Sequence, residues 1–359
     1  MAVFLHDPII FAAMHNELEA ISADSNLSIE NLTDAYNREH SYLRISLIEK
    51  CNLRCTYCMP EEGVQLSPNA SIMSAEEVLG IAKSFVDSGV TKIRLTGGEP
   101  LLRKDFDVIY IGLSALPAEI SITTNAVLLD KYLPIFKEKE MKSINISLDT
   151  LSRQKFRDIT RRDQFQKVLD NIYAALNAGI QPRINVVLLK DFNEDEITDF
   201  IELTKDLPIV IRFIEFMPFE GNQWKTEKLV SLSSILQQAA ETFGAGKIVR
   251  LQDKANDTSK NYQIKGFSGS FSVISTVTNP FCDSCNRIRL TANGTIKNCL
   301  FSDDEVNILE VYRKTEPIMP LVKKALNAKH LVRGGMQTLE QFSDPKKNQA
   351  NRSMILIGG

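Results

Sequence analysis

Histidine is scarce in this 359-residue chain, and membrane-length apolar runs and phosphate-binding glycine loops are missing. The four histidines are His6, His15, His40 and His330. All lie outside the motifs described below, which argues against a hydrolase built on a Ser–His–Asp set. No Walker sequence occurs, because Gly244-Ala245-Gly246-Lys247 is too short for one. No apolar run reaches the roughly 18 to 20 residues that a membrane span needs. No Lys or Arg precedes Arg38, and the apolar stretch Ile9 to Met14 is short, so the N-terminus does not read as a signal peptide. Asp7, Glu17, Glu19, Asp24, Glu30 and Asp34 argue against a transit peptide. Neither sign of charge dominates: 42 Lys and Arg face 45 Asp and Glu, a net of −3, so no global field recruits nucleic acid or an anionic membrane. The expectation is a cytoplasmic protein that binds any anionic ligand through local cations.

What is present is enough apolar residue, 43%, for a sizeable core in one large domain or two. There are six cysteines in two groups, with none left over. Cys51, Cys55 and Cys58 form C-x3-C-x2-C, and Cys282, Cys285 and Cys299 form C-x2-C-x13-C. A reducing cytoplasm disfavours disulfides and makes metal or cluster ligation the default.

Residues 1 to about 40 carry no clear period and no glycine, and read as a partly ordered extension. From Tyr42 strands alternate with helices. The strands are expected at 42–48, 92–95, 119–123, 143–148, 183–189 and 210–216, rich in the Ile, Val, Leu and Phe of a buried parallel sheet. Helices are expected from a Ser74–Glu77 capping box to near Gly89, and over about 106–113, 130–139, 163–178 and 193–205. Six such units argue for right-handed parallel βαβ connections. Periodicity alone leaves an open doubly wound sheet and a barrel-like array equal. After Pro218 the pattern changes to a helix near 231–243 and β-type segments around 248–250, 261–264 and 271–277. A boundary near Gly221 divides a partial barrel, 41–220, from a C-terminal region, 221–359.

Three thiolates on a loop after a strand suit an iron–sulfur cluster with one iron left open, whereas structural zinc wants four ligands. The run Cys51-Asn52-Leu53-Arg54-Cys55-Thr56-Tyr57-Cys58-Met59-Pro60 resembles the signature of the radical S-adenosylmethionine (SAM) superfamily. That resemblance implies a 4Fe-4S cluster whose open iron binds SAM and whose electron cleaves it. Thr96-Gly97-Gly98-Glu99-Pro100 follows the second strand; its glycines permit close backbone approach and Glu99 offers an acceptor. It is similar to the superfamily's motif for the amino group of SAM. The other strands end in Thr123-Thr124-Asn125, Ser147-Leu148-Asp149, Lys190 and Met217-Pro218. Polar motifs at six strand ends favour a partial (β/α)6 TIM-like barrel, with an α+β region closing its open side, over the doubly wound sheet.

Charged residues inside buried strands are costly unless paired. Arg44, Lys92, Arg94 and Arg212 are such residues, satisfied either by carboxylates such as Glu99, Asp149 and Glu215 or by an anionic ligand. In the second cysteine group, Cys285, Arg287 and Arg289 share one face of an extended segment. The hairpin at Asn293-Gly294 tests the site. A two-residue loop sets Cys299 against Ile288, on the wrong face. A three-residue loop with left-handed Gly294 sets it against Arg287, on the right one. A zinc knuckle is the alternative for this group.

Taken together, the two triads, the strand cations and C-x2-C-x13-C resemble the GTP 3′,8-cyclases, radical SAM lyases of molybdenum cofactor biosynthesis. The resemblance runs from about Tyr42 to the end. It implies two 4Fe-4S clusters, SAM contacts at Tyr57, Gly98, Glu99, Ser147 and Met217, and GTP contacts at Arg44, Arg94, Thr123, Lys190, Arg287 and Arg289, with Lys92 and Arg212 as supporting charges. It also implies that the terminal Gly358-Gly359 reaches the active site beside Arg287 and Arg289. The implied reaction takes hydrogen from ribose C3′ of GTP and joins C3′ to guanine C8. A reductant protein and a cyclic pyranopterin monophosphate synthase that takes the product are the implied partners; a homodimer is compatible. Two departures stand out: Ala126 follows Thr-Thr-Asn where the family commonly has Gly, and Lys50 precedes the first cysteine where Arg is common. A peptide-modifying two-cluster maturase and a zinc-binding interaction module are the competing readings.

Overall fold

A computed structural model describes residues 31–220, 222, 224–343 and 352–358. Residues 1–30 of the expected extension and the terminal Gly359 lie outside the described residues.

Six strands run parallel in chain order: β1 (Tyr42–Ser46), β2 (Lys92–Thr96), β3 (Glu119–Thr124), β4 (Ser143–Ser147), β5 (Gln181–Leu188) and β6 (Val210–Glu215). Helices α1 (Ala75–Asp87), α2 (Phe106–Ser114), α3 (Leu129–Glu138), α4 (Arg153–Thr160), α5 (Phe165–Asn177) and α6 (Ile197–Glu202) connect them. α1 starts where its capping box requires: Ser74 Oγ accepts from the Glu77 amide at 3.2 Å, and Glu77 Oε2 accepts from the Ser74 amide at 2.7 Å. Strand alternation divides the faces. Leu43 and Ile45, or Ile93 and Leu95, are fully buried in the core, while Tyr42, Arg44, Lys92 and Arg94 face a cavity. Between α2 and α3 an aromatic group of Phe106, Tyr110, Tyr132 and Phe136 packs with centroids 4.9–6.3 Å apart.

The later strands are β7 (Ile248–Arg250), β8 (Lys260–Ile264), β9 (Ser270–Ile274), β10 (Arg287–Leu290), β11 (Thr295–Lys297) and β12 (Glu305–Asn307). They do not form a separate layer. β9 pairs parallel with β6 and β10 pairs parallel with β1, giving one sheet ordered β12-β11-β10-β1-β2-β3-β4-β5-β6-β9-β8-β7. The C-terminal region thus flanks the six-unit array on both sides, and both flanks share its cavity.

Three local expectations change. A helix is present at α4, ahead of the expected start at 163; Ser152 caps it, and Arg161 in the left-handed region (φ 54°) separates it from α5. The segment expected as helix over 193–205 is a 3-10 turn, Glu194–Glu196, followed by the short α6. Residues 31–40 are packed rather than loose: Leu32, Asp34, Arg38 and His40 are buried. Among the described residues no helix is long and apolar enough to cross a membrane.

Candidate active site

One cavity of about 650 Å³ gathers the chemistry-bearing residues. All six cysteines line it, and all are free thiols. The first group sits on the loop after β1, docked on the end of α4 by the Arg54 and Thr56 amides, which donate to the carbonyls of Thr160 and Ile159 at 2.9 Å each. The second group brackets the β10–β11 hairpin. Its register pairs Arg289 with Lys297 and Leu290 with Ile296, around a three-residue loop whose Gly294 has φ 71°. This is the loop length the site calls for; the ladder ends at Lys297, and Cys299, two residues on, lines the cavity together with Arg287. Gly294 is required twice, since a Cβ there would also lie 2.3 Å from Leu309 Cβ.

The two cysteine groups sit in opposite electrostatic surroundings. Burial pushes Cys51 up to about 11, Cys58 up to about 12 and Cys55 well above its ordinary value, with Glu99 or Asp149 adding to the effect. Cys285 is also buried, but Arg287 and Lys329 outweigh that and bring it down to about 6. Metal binding at the first group therefore displaces protons, whereas Cys285 is prepared as a thiolate. Among the described residues no three His, Cys, Asp or Glu are drawn together tightly enough for a single ion. Thiols lining one cavity in two groups of three fit clusters of several irons better than a tetrahedral zinc, which wants four ligands.

Glu99 is 1% exposed and already engaged. It accepts from the Leu101 amide at 3.0 Å, the Thr124 hydroxyl at 2.7 Å and the Asn125 amide at 2.7 Å. Burial pushes its carboxyl up to about 7. Gly97 and Gly98 are glycines because the protein's own main chain approaches them: a Cβ on Gly98 would lie 2.4 Å from the Lys50 carbonyl oxygen. The Gly98 amide donates to the Ile48 carbonyl at 2.6 Å, tying this motif to the first cysteine loop. Tyr57 donates to Asp149 Oδ2 at 2.7 Å, Asp149 Oδ1 accepts from the Val187 amide at 2.8 Å, and burial pushes Asp149 up to about 6. Ser147 and Met217 line the same region.

Cations form a belt across neighbouring strands. Arg289, Arg44 and Arg94 are level in β10, β1 and β2, and Tyr42 is level with both Arg287 and Lys92. Burial, then Arg289 and Arg94, push Arg44 well below its ordinary value. Burial, then Arg94 and Arg183, bring Arg212 down to about 9. Burial brings Arg289 down to about 10, with Arg287 adding to it. So many crowded, buried cations call for an anion between them. Buried atoms of Tyr42 (Oη), Thr123 (Oγ1), Asn185 (Oδ1) and Arg287 (Nη2) have no hydrogen-bond partner among the described residues, and all four residues line the cavity. A polar ligand satisfies both demands.

Lys190 does not join this belt. It lies past the end of β5, exposed, and is absent from the cavity wall. Arg183, Asn185 and Val187 line the wall instead, in the phase set by buried Ile184 and Val186. Sequence reasoning missed Arg183, although period two along β5 points to it. The tail does reach the site. Met354 lines the cavity, Ser353 Oγ donates to the Cys58 carbonyl at 2.7 Å, and Arg289 donates to the Gly358 carbonyl at 2.9 Å. Gly358 has φ 77°, and a Cβ there would lie 2.6 Å from Thr96 Oγ1.

A partial parallel barrel with a three-cysteine loop at the first strand end and a cation-lined cavity defines a radical SAM protein. In agreement, the family model "Radical SAM superfamily" matches residues 45–204, and "Molybdenum Cofactor Synthesis C" matches 209–332. The chain is 42% identical over 356 residues to the mitochondrial GTP 3′,8-cyclase of Arabidopsis thaliana, covering 98% of this chain and 89% of that protein. It is 46% identical to GTP 3′,8-cyclase of Listeria welshimeri, covering 83% and 90%. It spans about half of the Drosophila melanogaster Molybdenum cofactor biosynthesis protein 1, at 46% identity over 83% of this chain and 54% of that one. The chain belongs to the GTP 3′,8-cyclase family. Its fold is also that of Streptococcus suis SuiB (TM-score 0.58, 15% identity, covering 99% of this chain and 84% of that one).

Proposed function

We propose that the chain is a GTP 3′,8-cyclase, turning GTP into (8S)-3′,8-cyclo-7,8-dihydroguanosine 5′-triphosphate in the first step of molybdenum cofactor biosynthesis. The observation that carries this reading is the opening of both cysteine triads onto one cavity whose wall between them is cationic. When bound, the cluster and SAM supply the one-electron chemistry that removes hydrogen from ribose C3′ and lets it bond to guanine C8.

The chain's residues do the rest. Cys51, Cys55 and Cys58 would hold one 4Fe-4S cluster, and Cys282, Cys285 and Cys299 a second. Tyr57, Gly98, Ser147 and Met217 border the place of SAM. Glu99 acts there mainly through Thr124 and Asn125, which it holds. Lys92, Arg94, Arg183 and Arg212 bind the triphosphate, with Arg183 in the role expected of Lys190. Arg44, Thr123, Arg287 and Arg289 hold the nucleoside end, and Arg289 also carries the tail at Gly358. Residues 41–220 are the radical-generating part and 221–359 bring the second triad. A one-electron reductant protein and a synthase taking the cyclic product are the partners of this reading, which places the protein in the cytoplasm and is compatible with a homodimer.

The test is an anaerobic incubation with SAM, dithionite and GTP, read by mass spectrometry. A nucleotide isomeric with GTP, formed together with 5′-deoxyadenosine, is expected. Release of 5′-deoxyadenosine with a peptide and not with GTP would overturn the assignment in favour of a maturase.

A further inference from the structure

Two segments with no role so far, residues 31–40 and 328–333, grip the second cysteine loop, the latter ending at Arg333 on the cavity wall. Lys329 is 3% exposed. Its ammonium donates to Cys285 Sγ at 3.4 Å and to the Arg287 carbonyl at 2.9 Å. The Arg333 amide donates to Cys282 Sγ at 3.4 Å. Arg38 donates to the carbonyls of Cys282 at 2.9 Å, Leu331 at 2.8 Å and His330 at 3.1 Å, and Asp34 fixes its Nε at 2.6 Å.

Among the described residues no Lys or Arg donates to a sulfur of the first triad. Cys51 Sγ accepts from the Leu53 amide at 3.4 Å and the Asn125 amide nitrogen at 3.7 Å, both neutral, and the buried ionisable groups nearby are Glu99 and Asp149. A buried ammonium is costly unless it meets an anion. The charged groups facing Lys329 are Cys285, Cys299 and the cation Arg38. Its burial is therefore favourable when the cysteines carry the negative charge, as metal-bound thiolates do. A cation donating to a ligating sulfur stabilises the more negative, reduced state of a cluster.

We propose that Lys329 is a positioning residue for the second cluster: a fixed counter-charge that raises that cluster's reduction potential and locks Cys285 to the strand carrying Arg287. This rests on the reading that the second triad holds a cluster. The step concerned is uptake of one electron by that cluster from an external reductant, with no bond made or broken.

The test uses the full chain, reconstituted anaerobically, as wild type, Lys329→Met and Lys329→Arg. Iron is counted, and each cluster is followed by electron paramagnetic resonance during a dithionite titration. In Lys329→Met the second couple is expected to fall by at least tenfold in its reduction equilibrium, about 59 mV for one electron. The first couple should stay in place, and Lys329→Arg should recover most of the shift. Loss of the second cluster in the Met variant with retention in the Arg variant also supports the charge role. An unmoved second couple in the Met variant, or loss of its iron in both variants, overturns the assignment. A wild-type chain holding one cluster's iron overturns the two-cluster reading itself, and the Lys329 role with it.

Discussion

Arg183 and Lys190 offer the sharpest test of the site, because the sequence motif pointed to one and the strand's phase to the other. Arg183 is half-buried on the cavity wall, opposite Asn145 in β4 and Val210 in β6. A charge-assisted hydrogen bond is worth about 1.5–3 kcal/mol net. At about 1.4 kcal/mol per decade, Arg183→Ala should lower kcat/KM for GTP by about 10- to 100-fold. The loss should sit mainly in KM, since the triphosphate is remote from the reacting carbons. The free protein should behave in the opposite sense. Arg183 is itself pushed below its ordinary value, by burial first and then by Arg94, and it helps push down Arg212. Removing it relieves that crowding, so Tm should hold or rise, as happens when a site residue is kept for function against stability. Lys190→Ala should change kcat/KM by less than about twofold, given its exposed position outside the wall. The assay is 5′-deoxyadenosine release against GTP concentration under anaerobic conditions, with a thermal melt of each variant. An active Arg183→Ala beside a crippled Lys190→Ala would refute the assignment of the belt by strand phase.

Other substitutions test the supporting structure. Gly98→Ala puts a Cβ 2.4 Å from the Lys50 carbonyl oxygen, so it should cost at least about 1–3 kcal/mol and deplete iron at the first triad; a normal iron content would contradict the close approach. Ala126 is buried at φ 62°. Ala126→Gly should shift stability by under about 1 kcal/mol, because left-handed strain of about 1 kcal/mol offsets a buried methyl worth about 0.8 kcal/mol; a change beyond about 2 kcal/mol in chemical denaturation would disprove that balance. His40 is 2% exposed, and burial, followed by Lys329, brings it from 6.5 down to about 4. The folded state thus refuses a proton that the unfolded chain accepts. This contribution is whole above pH 6.5 and is lost as pH falls toward 4, at about 1.4 kcal/mol per unit. His40→Gln should flatten the slope of unfolding free energy across that window in the cluster-free protein, and an unchanged slope would count against the buried neutral imidazole.

Legibility in the sequence followed the range of the forces involved. All six parallel strands lie within two residues of their expected limits, because a strand buried on one face and functional on the other writes its phase into consecutive residues: Tyr42-Leu43-Arg44-Ile45 states both faces at once. The α1 cap was equally plain, since Ser74 and Glu77 satisfy each other within one turn. Helix α5 lies within two residues of its expected limits, whereas α4 went unread: it is eight residues long and carries only a short buried stripe, Phe156, Ile159 and Thr160, too brief to state a helical period. Gly97-Gly98 was visible as a motif, but the reason for it was not. The atoms that forbid a side chain belong to residues 48–50, which only the folded sheet brings near. Residues 31–40 looked featureless for the same cause at longer range. Arg38 finds its acceptors at Cys282, His330 and Leu331, and nothing local records a contact across more than 240 residues.

The candidate site shows where a motif and a phase can disagree. The six cysteines came from spacing, and the cation belt from charges that no buried strand tolerates without a purpose. Lys190 came from a strand end and from the family resemblance, yet it lies exposed past the end of β5, off the cavity wall. The strand's own alternation, Arg183 and Asn185 against Ile184 and Val186, carried the correction. The hairpin after β10 makes the complementary point. Two loop lengths were open on paper, and only one keeps Cys299 on the face of Cys285 and Arg287; a single left-handed glycine selects it. Residue type says what chemistry is available, and backbone phase decides which of those residues meet. A cavity lined by two cysteine triads depends on the second as much as the first, because one residue of slip in β10 would turn Arg287 and Arg289 into the core.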